Sequence, residues 1–432
     1  MTALPTPPNT RPRRGSGILR ALGSRNYRLF FSGQTVSLIG TWVTRIATSW
    51  LVYRLTGSAF LLGLVSFCSQ IPTLIISPFS GVLIDRWNRH TVLVVTQVLS
   101  MLQSLALAVL AFAGIINVTE ILVLQLAQGC INAFDTPARQ AFVVELVEDR
   151  SYLPNAIALN STMVNASRII GPSIGGIIIA LAGEGWCFML DAVSYIAVIV
   201  SLLMMHVGHV NRAHGTTRVL DELKTGLRYV QGSLPIRTAL ILLAVVSMMS
   251  MPYTVLMPAI ATQTLHGGAH TLGFLMTASG VGALVGALYL ASRLSVIGLE
   301  DVSAIATICF GLGLVAFALS RQLWLSLAIL PIVGAGFMVQ MASINTIIQT
   351  LVEEQLRGRV MAFYTMAFLG TAPIGSILAG LVAARIGSEY TVLIGGSASI
   401  VMGLWFASRL PALRAAMHPV YAVRGIVPVP RA

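Results

Sequence analysis

Gly81-Val82-Leu83-Ile84-Asp85-Arg86-Trp87-Asn88-Arg89-His90 is a short charged turn wedged between two long apolar stretches, residues 60 to 84 and 91 to 114. A helix needs about 20 residues to cross the hydrocarbon core of a bilayer, and each stretch is long enough. The turn therefore sits at a membrane surface. Its cations place it on the cytoplasmic side, where Lys and Arg are retained.

Working outward, apolar runs separated by polar or turn-forming clusters fall at 28 to 53, 60 to 84, 91 to 114, 119 to 138, 156 to 183, 186 to 208, 238 to 262, 271 to 292, 302 to 320, 323 to 345, 360 to 386 and 390 to 410. The expected architecture is an all-α membrane protein of twelve transmembrane helices in two pseudo-symmetric six-helix bundles. Its parts are a cytoplasmic N-terminal tail (1–26), a first bundle (27–208), a cytoplasmic linker (209–237), a second bundle (238–410) and a cytoplasmic C-terminal tail (411–432). The stretch after residue 26 is too long for a signal-peptide core and is expected to remain as the first span. In the linker, Val219, Leu220, Leu223, Leu227 and Val230 recur at helical spacing opposite Asp221, Lys224, Arg228 and Gln231. That pattern fits a helix lying along the inner membrane face, or equally a bare linker helix.

Composition agrees. Of 432 residues, 56% are hydrophobic and 10% charged, and the mean hydropathy is +0.83, whereas soluble domains carry about 25% charged residues. The net charge of +12 rests almost wholly on arginine, since Lys224 is the sole lysine. Its concentration in the tails, the linker and the loops holding Arg86, Arg89, Arg139, Arg150, Arg293, Arg357 and Arg359 is explained by orientation during insertion, without invoking nucleic acid. The outer loops hold little beyond Arg54, Arg321 and Arg385. Cys68, Cys130, Cys187 and Cys309 lie in or at the edge of spans without paired or metal-ligand spacing, so no disulfide, metal or cofactor is expected. The halves echo each other: Leu146-Val147-Glu148-Asp149 parallels Leu351-Val352-Glu353-Glu354, each followed by a Pro-Gly-containing helix. Repeated halves of this kind are a transporter signature.

A polar side chain facing lipid is expensive, so polar stripes on spanning helices must face protein or water. At about 100° per residue, Gln34, Ser37, Thr41, Arg45 and Thr48 share one face of the first helix. The fourth helix offers Gln125, Gln128, Asn132, Asp135 and Arg139, the fifth Ser161, Asn165 and Arg168, and the sixth Asp191. Together they outline an aqueous cavity near the midplane. Arg45 has two readings, a structural ion pair with Asp191 or contact with an anionic substrate. Arg168 has no acid at matching depth and reads as cavity-lining. The second half contributes Tyr253, Gln340 and Asn345 and a Met-rich run at Met248, Met249, Met251 and Met257, which suits either an adaptable apolar surface or ordinary packing. Pro252 and Pro258 should kink the seventh helix, and Gly280, Gly282 and Gly286 should let the eighth pack closely.

No G-x-x-x-x-G-K-[ST] loop exists around Lys224, so ATP hydrolysis by that route is excluded. An ion gradient is the remaining energy source, with Asp135 and Asp191 as proton-binding candidates. Asp135 lies near the cytoplasmic end of its helix and serves equally well as a partner of Arg86 or Arg89. Gly171-x-Ser173-x-Gly175 matches a hydrolase elbow but lies inside a spanning helix with no mid-span histidine, so an enzyme is not expected.

Gly81-x-Leu83-x-Asp85-Arg86-x-x-Arg89-His90 resembles the loop motif of the major facilitator superfamily, with Asn88 where glycine is usual. Gly171-Pro172-x-x-Gly175-Gly176 resembles its fifth-helix motif of drug/proton antiporters. Pro137-Ala138-Arg139-Gln140-Ala141-Phe142, with Asn26-Tyr27-Arg28-Leu29-Phe30, is similar to the branch containing the enterobactin exporter and macrolide efflux proteins. The resemblance spans residues 27 to 410. It implies a secondary active transporter of the bacterial inner membrane, working as a monomer by alternating access and proton antiport and exporting small, partly apolar molecules of siderophore or drug type. It further implies a conformational-switch set of Gly81, Asp85, Arg86, Arg89 and Asp135, with Asp85 against the start of helix eleven near Arg359 and Val360. The fourth-helix arginine tied to proton coupling in the family is Gln125 here, and the corresponding second-half loop, Ala291 to Gly298, lacks the acidic motif. A lipid flippase and a non-transporting receptor are the alternatives.

Overall fold

The computed structural model describes residues 21–147, 152–205, 219–293 and 295–424, and every regular element among them is helical. The first half comprises α1 (Arg25–Thr56), α2 (Ala59–Arg86), α3 (Arg89–Phe112), α4 (Val118–Leu146), α5 (Leu153–Ala182) and α6 (Glu184–Leu203). A linker helix α7 (Val219–Gly232) leads into α8 (Leu234–Met249), α9 (Tyr253–Ala259), α10 (Ala269–Ala291), α11 (Leu299–Leu319), α12 (Leu323–Leu351), α13 (Arg357–Thr365), α14 (Thr371–Ile386), α15 (Ser388–Ser408) and a terminal α16 (Leu410–Val423). The end at which α2 turns into α3 and α6 leads to α7 is the linker end, and the opposite one the far end. Glu148, Asp149 and Arg150 lie outside the described residues, as do the N-terminal tail through Arg20 and the side chains of Val219, Leu220, Asp221 and Leu223.

Ten helical segments are long and apolar enough to cross a membrane, counting α8 with α9 and α13 with α14 as single spans. Two further long helices, α1 with 32 residues and α4 with 29, are consistent with the expected twelve. They fall short of the other ten because they carry the polar stripes.

Local chemistry accounts for the breaks. The seventh span divides at Pro252, which heads α9, and a π-helical turn, Ile260–Thr264, follows Pro258. The eleventh has a π-turn at Met366–Gly370, where α13 becomes α14. Asn88, the departure from the loop motif, caps α3: its side-chain oxygen accepts from the His90 and Thr91 amides, a stronger cap than most residues provide. Gly183 and Gly387 make the tight turns into α6 and α15 with φ of 89° and 95°, a region costly to any residue with a Cβ. Each is followed by a glutamate bound to the end of its own half's first span. Arg54 Nε donates to Glu184 at 2.8 Å, and Thr264 Oγ1 donates to Glu389 at 2.6 Å. The repeat of the two halves thus extends to the clasps at their far ends.

Glycine faces join the halves. Gly176 of α5 abuts Ala269 and Gly273 of α10, and lower down Gly280 meets Ile169. Gly63 of α2 abuts Ser376 and Gly380 of α14, and lower down Gly370 meets Leu74. Ser173 and Thr277 share a 2.6 Å hydrogen bond across the first seam, and Ser66 donates to Ser376 at 3.2 Å across the second. All these contacts lie towards the far end. On the linker side of them, Ile157, Ala158, Ser161, Thr162 and Val164 of α5 and Ile75 and Phe79 of α2 are exposed. There α13 packs on α7, through Gly226 against Arg359 and Phe363, instead of on α2. The halves therefore part from mid-depth to the linker end and leave a gap between them.

Candidate functional site: the gap between the halves

The α1–α5 seam sets the rotation of the residues that face the gap. Gly171 receives the Trp42 side chain and Gly175 receives Ile46, which turns Ile39, Trp42, Val43 and Ile46 of α1 towards α5. Gly33 and Gly40 turn the adjoining face towards Ser201, Ser194 and Asp191 of α6. Between these contacts the polar face of α1 is left to the gap, where Thr41 and Arg45 are exposed. The Arg45 guanidinium stacks over Trp42, 5.1 Å from the ring centroid, a cation–π placement that rests in turn on Gly171. On α5 the exposed Ser161, with half-buried Asn165 and Arg168, forms the neighbouring wall.

Arg45 and Arg168 lie close enough to repel one another, and among the described residues neither forms an ion pair. Tyr253 of the second half is within electrostatic reach of Arg168. It is buried, its hydroxyl sharing a 2.7 Å hydrogen bond with Ser279 and its ring edge-on to Phe310. Among the described residues, two guanidinium groups and an aromatic cluster thus meet at mid-depth without a carboxylate.

The other candidates lie elsewhere. Asp191 is 2% exposed and sits inside the first half, away from the gap wall. Ser104 of α3 donates to its Oδ2 at 2.8 Å, and Gly40 lies against its Oδ1, so the Arg45–Asp191 ion pair is absent. Gln128 Nε2 donates to Ser100 at 3.1 Å and to Asn132 at 3.2 Å, tying α4 to α3 beside half-buried Gln125. Gln34 is buried in α1. Gln340 is wholly buried inside the second half with no partner for either amide atom among the described residues. Asn345 accepts from Gln349 near the linker end of α12. Of the expected cavity residues, only Thr41, Arg45, Asn165, Arg168 and, across the gap, Tyr253 come together.

Asp135 differs from expectation in its partners. It is buried, 3.5 Å from Arg139 one turn on, and accepts from Gln97 at 2.7 Å and Thr96 at 3.1 Å. Arg89 pairs instead with Glu145 at 2.8 Å. Arg86 is exposed at the end of α2, while the surroundings of Gly81 and the side chain of Asp85 lie outside what is described. The fifth-helix motif is resolved into two contacts, Gly171 and Gly175 for α1 and Pro172 with Gly176 for α10.

The sequence reading missed α3. Thr96, Gln97, Ser100, Gln103 and Ser104 are all buried, and they line the polar layer that holds Asp135, Gln128 and Asp191. The signal was present, since Thr96, Ser100, Gln103 and Ser104 recur at intervals of three and four residues and so share one face.

This arrangement of spans, seams and gap belongs to one class of membrane protein. The family model described as transmembrane secretion effector matches residues 17–424, and the chain belongs to that family of major facilitator transporters. It is 25% identical to the Staphyloferrin A transporter of Staphylococcus aureus over 380 residues, covering 88% of this chain and 95% of the relative. It is 28% identical to the multidrug efflux pump Tap of Mycolicibacterium fortuitum over 384 residues, covering 87% and 93%. Among solved structures, the nucleoside transporter NupG has a TM-score of 0.68 at 16% identity, with 89% and 98% covered. A bacterial homologue of the iron transporter ferroportin in the inward-facing state has a TM-score of 0.66 at 17% identity, again with 89% and 98% covered. These two share the fold.

Proposed function

We propose that this protein exports small, partly apolar, anionic molecules across the bacterial inner membrane, by rocking of its two halves around the gap and in exchange for protons. The observation that carries the reading is the unneutralised pair Arg45 and Arg168 on the wall of a gap open at one end only. Charges inside a membrane protein are held by partners or serve a ligand, and this pair has no carboxylate beside it among the described residues. With the linker end cytoplasmic, as the arginine distribution favours, the gap faces the compartment from which an exported molecule is taken. Relatives named for staphyloferrin A and for multidrug efflux support an anionic siderophore and an amphiphilic drug as the two substrate types to try.

Asp191 is the acid we assign to proton exchange. It touches α1 through Gly40 and α3 through Ser104, so a change in its charge is felt by the helix that carries Arg45. Asp135, paired with Arg139, is a structural anchor at the linker end of α4 in this scheme.

The test is counterflow in proteoliposomes with a siderophore and a macrolide, with and without an imposed pH gradient. Saturable flux of one of them, stimulated by a gradient acid on the side it leaves for, is the expected result. Flux of neither under any gradient overturns the substrate assignment, and flux indifferent to the gradient overturns the exchange.

A further inference from the structure

Away from the gap, at the linker end of the second half, a separate cavity of about 480 Å³ is lined by Thr346, Gln349 and Thr350 of α12, Arg357 at the head of α13, and Arg424 just after α16. We propose that it binds the phosphate group of an anionic phospholipid from the leaflet at that end of the molecule. Three observations carry this.

The first is charge. Two guanidinium groups share the cavity and, among the described residues, no carboxylate lines it. Glu353 and Glu354, next to Arg357 in the chain, are exposed and not part of the lining. Arg357 makes no hydrogen bond or ion pair among the described residues, and its Nε is buried without an acceptor. A buried donor left unmade carries a desolvation penalty that a bound anion removes. Arg424 spends one N–H on the Val352 carbonyl at 2.6 Å, which fixes its position and leaves its other donors for a ligand.

The second is the match of donors to phosphate. The Thr346 and Thr350 hydroxyls donate back to their own helix, at 2.9 and 2.8 Å. The remaining donors are the two arginines, whose planar forks suit phosphate oxygens, and the second N–H of Gln349. Helix α13 starts at Arg357 with Leu356 in the cap position and no side-chain cap. Its first amides thus add to the positive end.

The third is depth, which selects a lipid over a soluble ion. Thr346 to Thr350 form the last turns of α12, and Arg357 opens the span that runs through α13 and α14. The cavity therefore sits at the height where lipid phosphates line the bilayer surface.

The experiment uses the full chain, purified in detergent and exchanged into nanodiscs of phosphatidylcholine containing a minor fraction of phosphatidylglycerol. Retained lipid is counted by native mass spectrometry, and Tm is followed as phosphatidylglycerol or inorganic phosphate is titrated. The wild type is expected to retain phosphatidylglycerol selectively and to gain Tm with it, while millimolar phosphate does neither. Arg357→Gln with Arg424→Gln should reduce retention about tenfold or more, the equivalent of one charge-assisted hydrogen bond. Should the double variant misfold, Arg424→Gln alone, at an exposed position, is expected to show a smaller loss. Equal retention by folded variants and wild type overturns the site. Stabilisation by inorganic phosphate without lipid selectivity overturns the lipid assignment.

Discussion

Gly176→Ala should tilt the balance between the two orientations of the gap, by an amount that follows from the α5–α10 seam. A Cβ at Gly176 would lie 2.9 Å from the Ala269 carbonyl oxygen and 3.0 Å from the Gly273 Cα. Carbon atoms rest at about 3.5–4.0 Å, so the helices must separate by about 0.5–1 Å. Both obstructing atoms are backbone, so no side chain can swing aside. Overpacking of this kind costs about 1–3 kcal/mol. Ala269 and Gly273 belong to the other half, so the penalty falls only on the state in which the far ends touch. It becomes a shift of about 5–150-fold in the ratio of the two orientations. Gly171→Ala is the matched control. Its Cβ would run into Trp42 and lie 3.1 Å from the Ile39 carbonyl oxygen, both within the same half, so it should lower Tm without moving the equilibrium. The assay is labelling of Asn165→Cys by an impermeant maleimide in vesicles of each orientation, with Cys68, Cys130, Cys187 and Cys309 replaced by alanine. Labelling from the far side should rise at least about fivefold in Gly176→Ala and stay unchanged in Gly171→Ala. A folded Gly176→Ala protein labelled at the wild-type rate from both sides would refute the seam as a state-dependent contact.

Arg45→Gln or Arg168→Gln should raise the KM of counterflow for an anionic substrate by about 10–150-fold, the loss of one charge-assisted bond of about 1.5–3 kcal/mol. A neutral substrate should be little affected, and the double variant should fall short of additivity because the two charges repel each other. Asp191→Asn should keep gradient-independent counterflow and lose stimulation by a pH gradient, read as initial rates at two imposed gradients. Ser104→Ala removes the hydrogen bond that α3 donates to Asp191 and should lower stability by about 1 kcal/mol, seen in chemical or thermal melts. Asp85→Asn should slow turnover while leaving equilibrium substrate binding in place, checked by comparing counterflow rate with ligand affinity.

Depth and face were readable from the amino-acid order, but neighbours were not. Of the polar stripe expected on α1, Thr41 and Arg45 are exposed, whereas Gln34, Ser37 and Thr48 are buried, because glycines at 33 and 40 and the row from Ile39 to Ile46 commit the other faces to α6 and α5. The same depth argument allowed Arg45 to reach Asp191. What prevents it is lateral: α3 packs against α6 and brings Ser104 to that carboxylate. Asp135 is similar, since its partner Arg139 lies one turn along its own helix while the turn arginines lie nearer in a plain reading of height. Gln340 reads as cavity-lining by position but points into the second bundle, a rotation that periodicity leaves undetermined in a helix apolar nearly all round. The break at Pro252 and the close-packing glycines of α10 depend on local chemistry and were legible. Pairings between helices depend on contacts across the bilayer plane and were not.

The terminal helix α16 sets an order on biosynthesis. Its Arg414 pairs with Asp301 and Glu300 at the start of α11, and Arg424 bonds the Val352 carbonyl beyond α12. Its Leu413, Met417 and Tyr421 are buried against the helices emerging there. Glu300 is 5% exposed, so until residue 414 leaves the ribosome a nearly buried carboxylate at the head of a membrane span waits without its cation. The second bundle can insert early, yet its linker-end surface is completed only once α16 has been made. A stop codon before Arg414 should therefore yield a protein that inserts and is then lost to quality control.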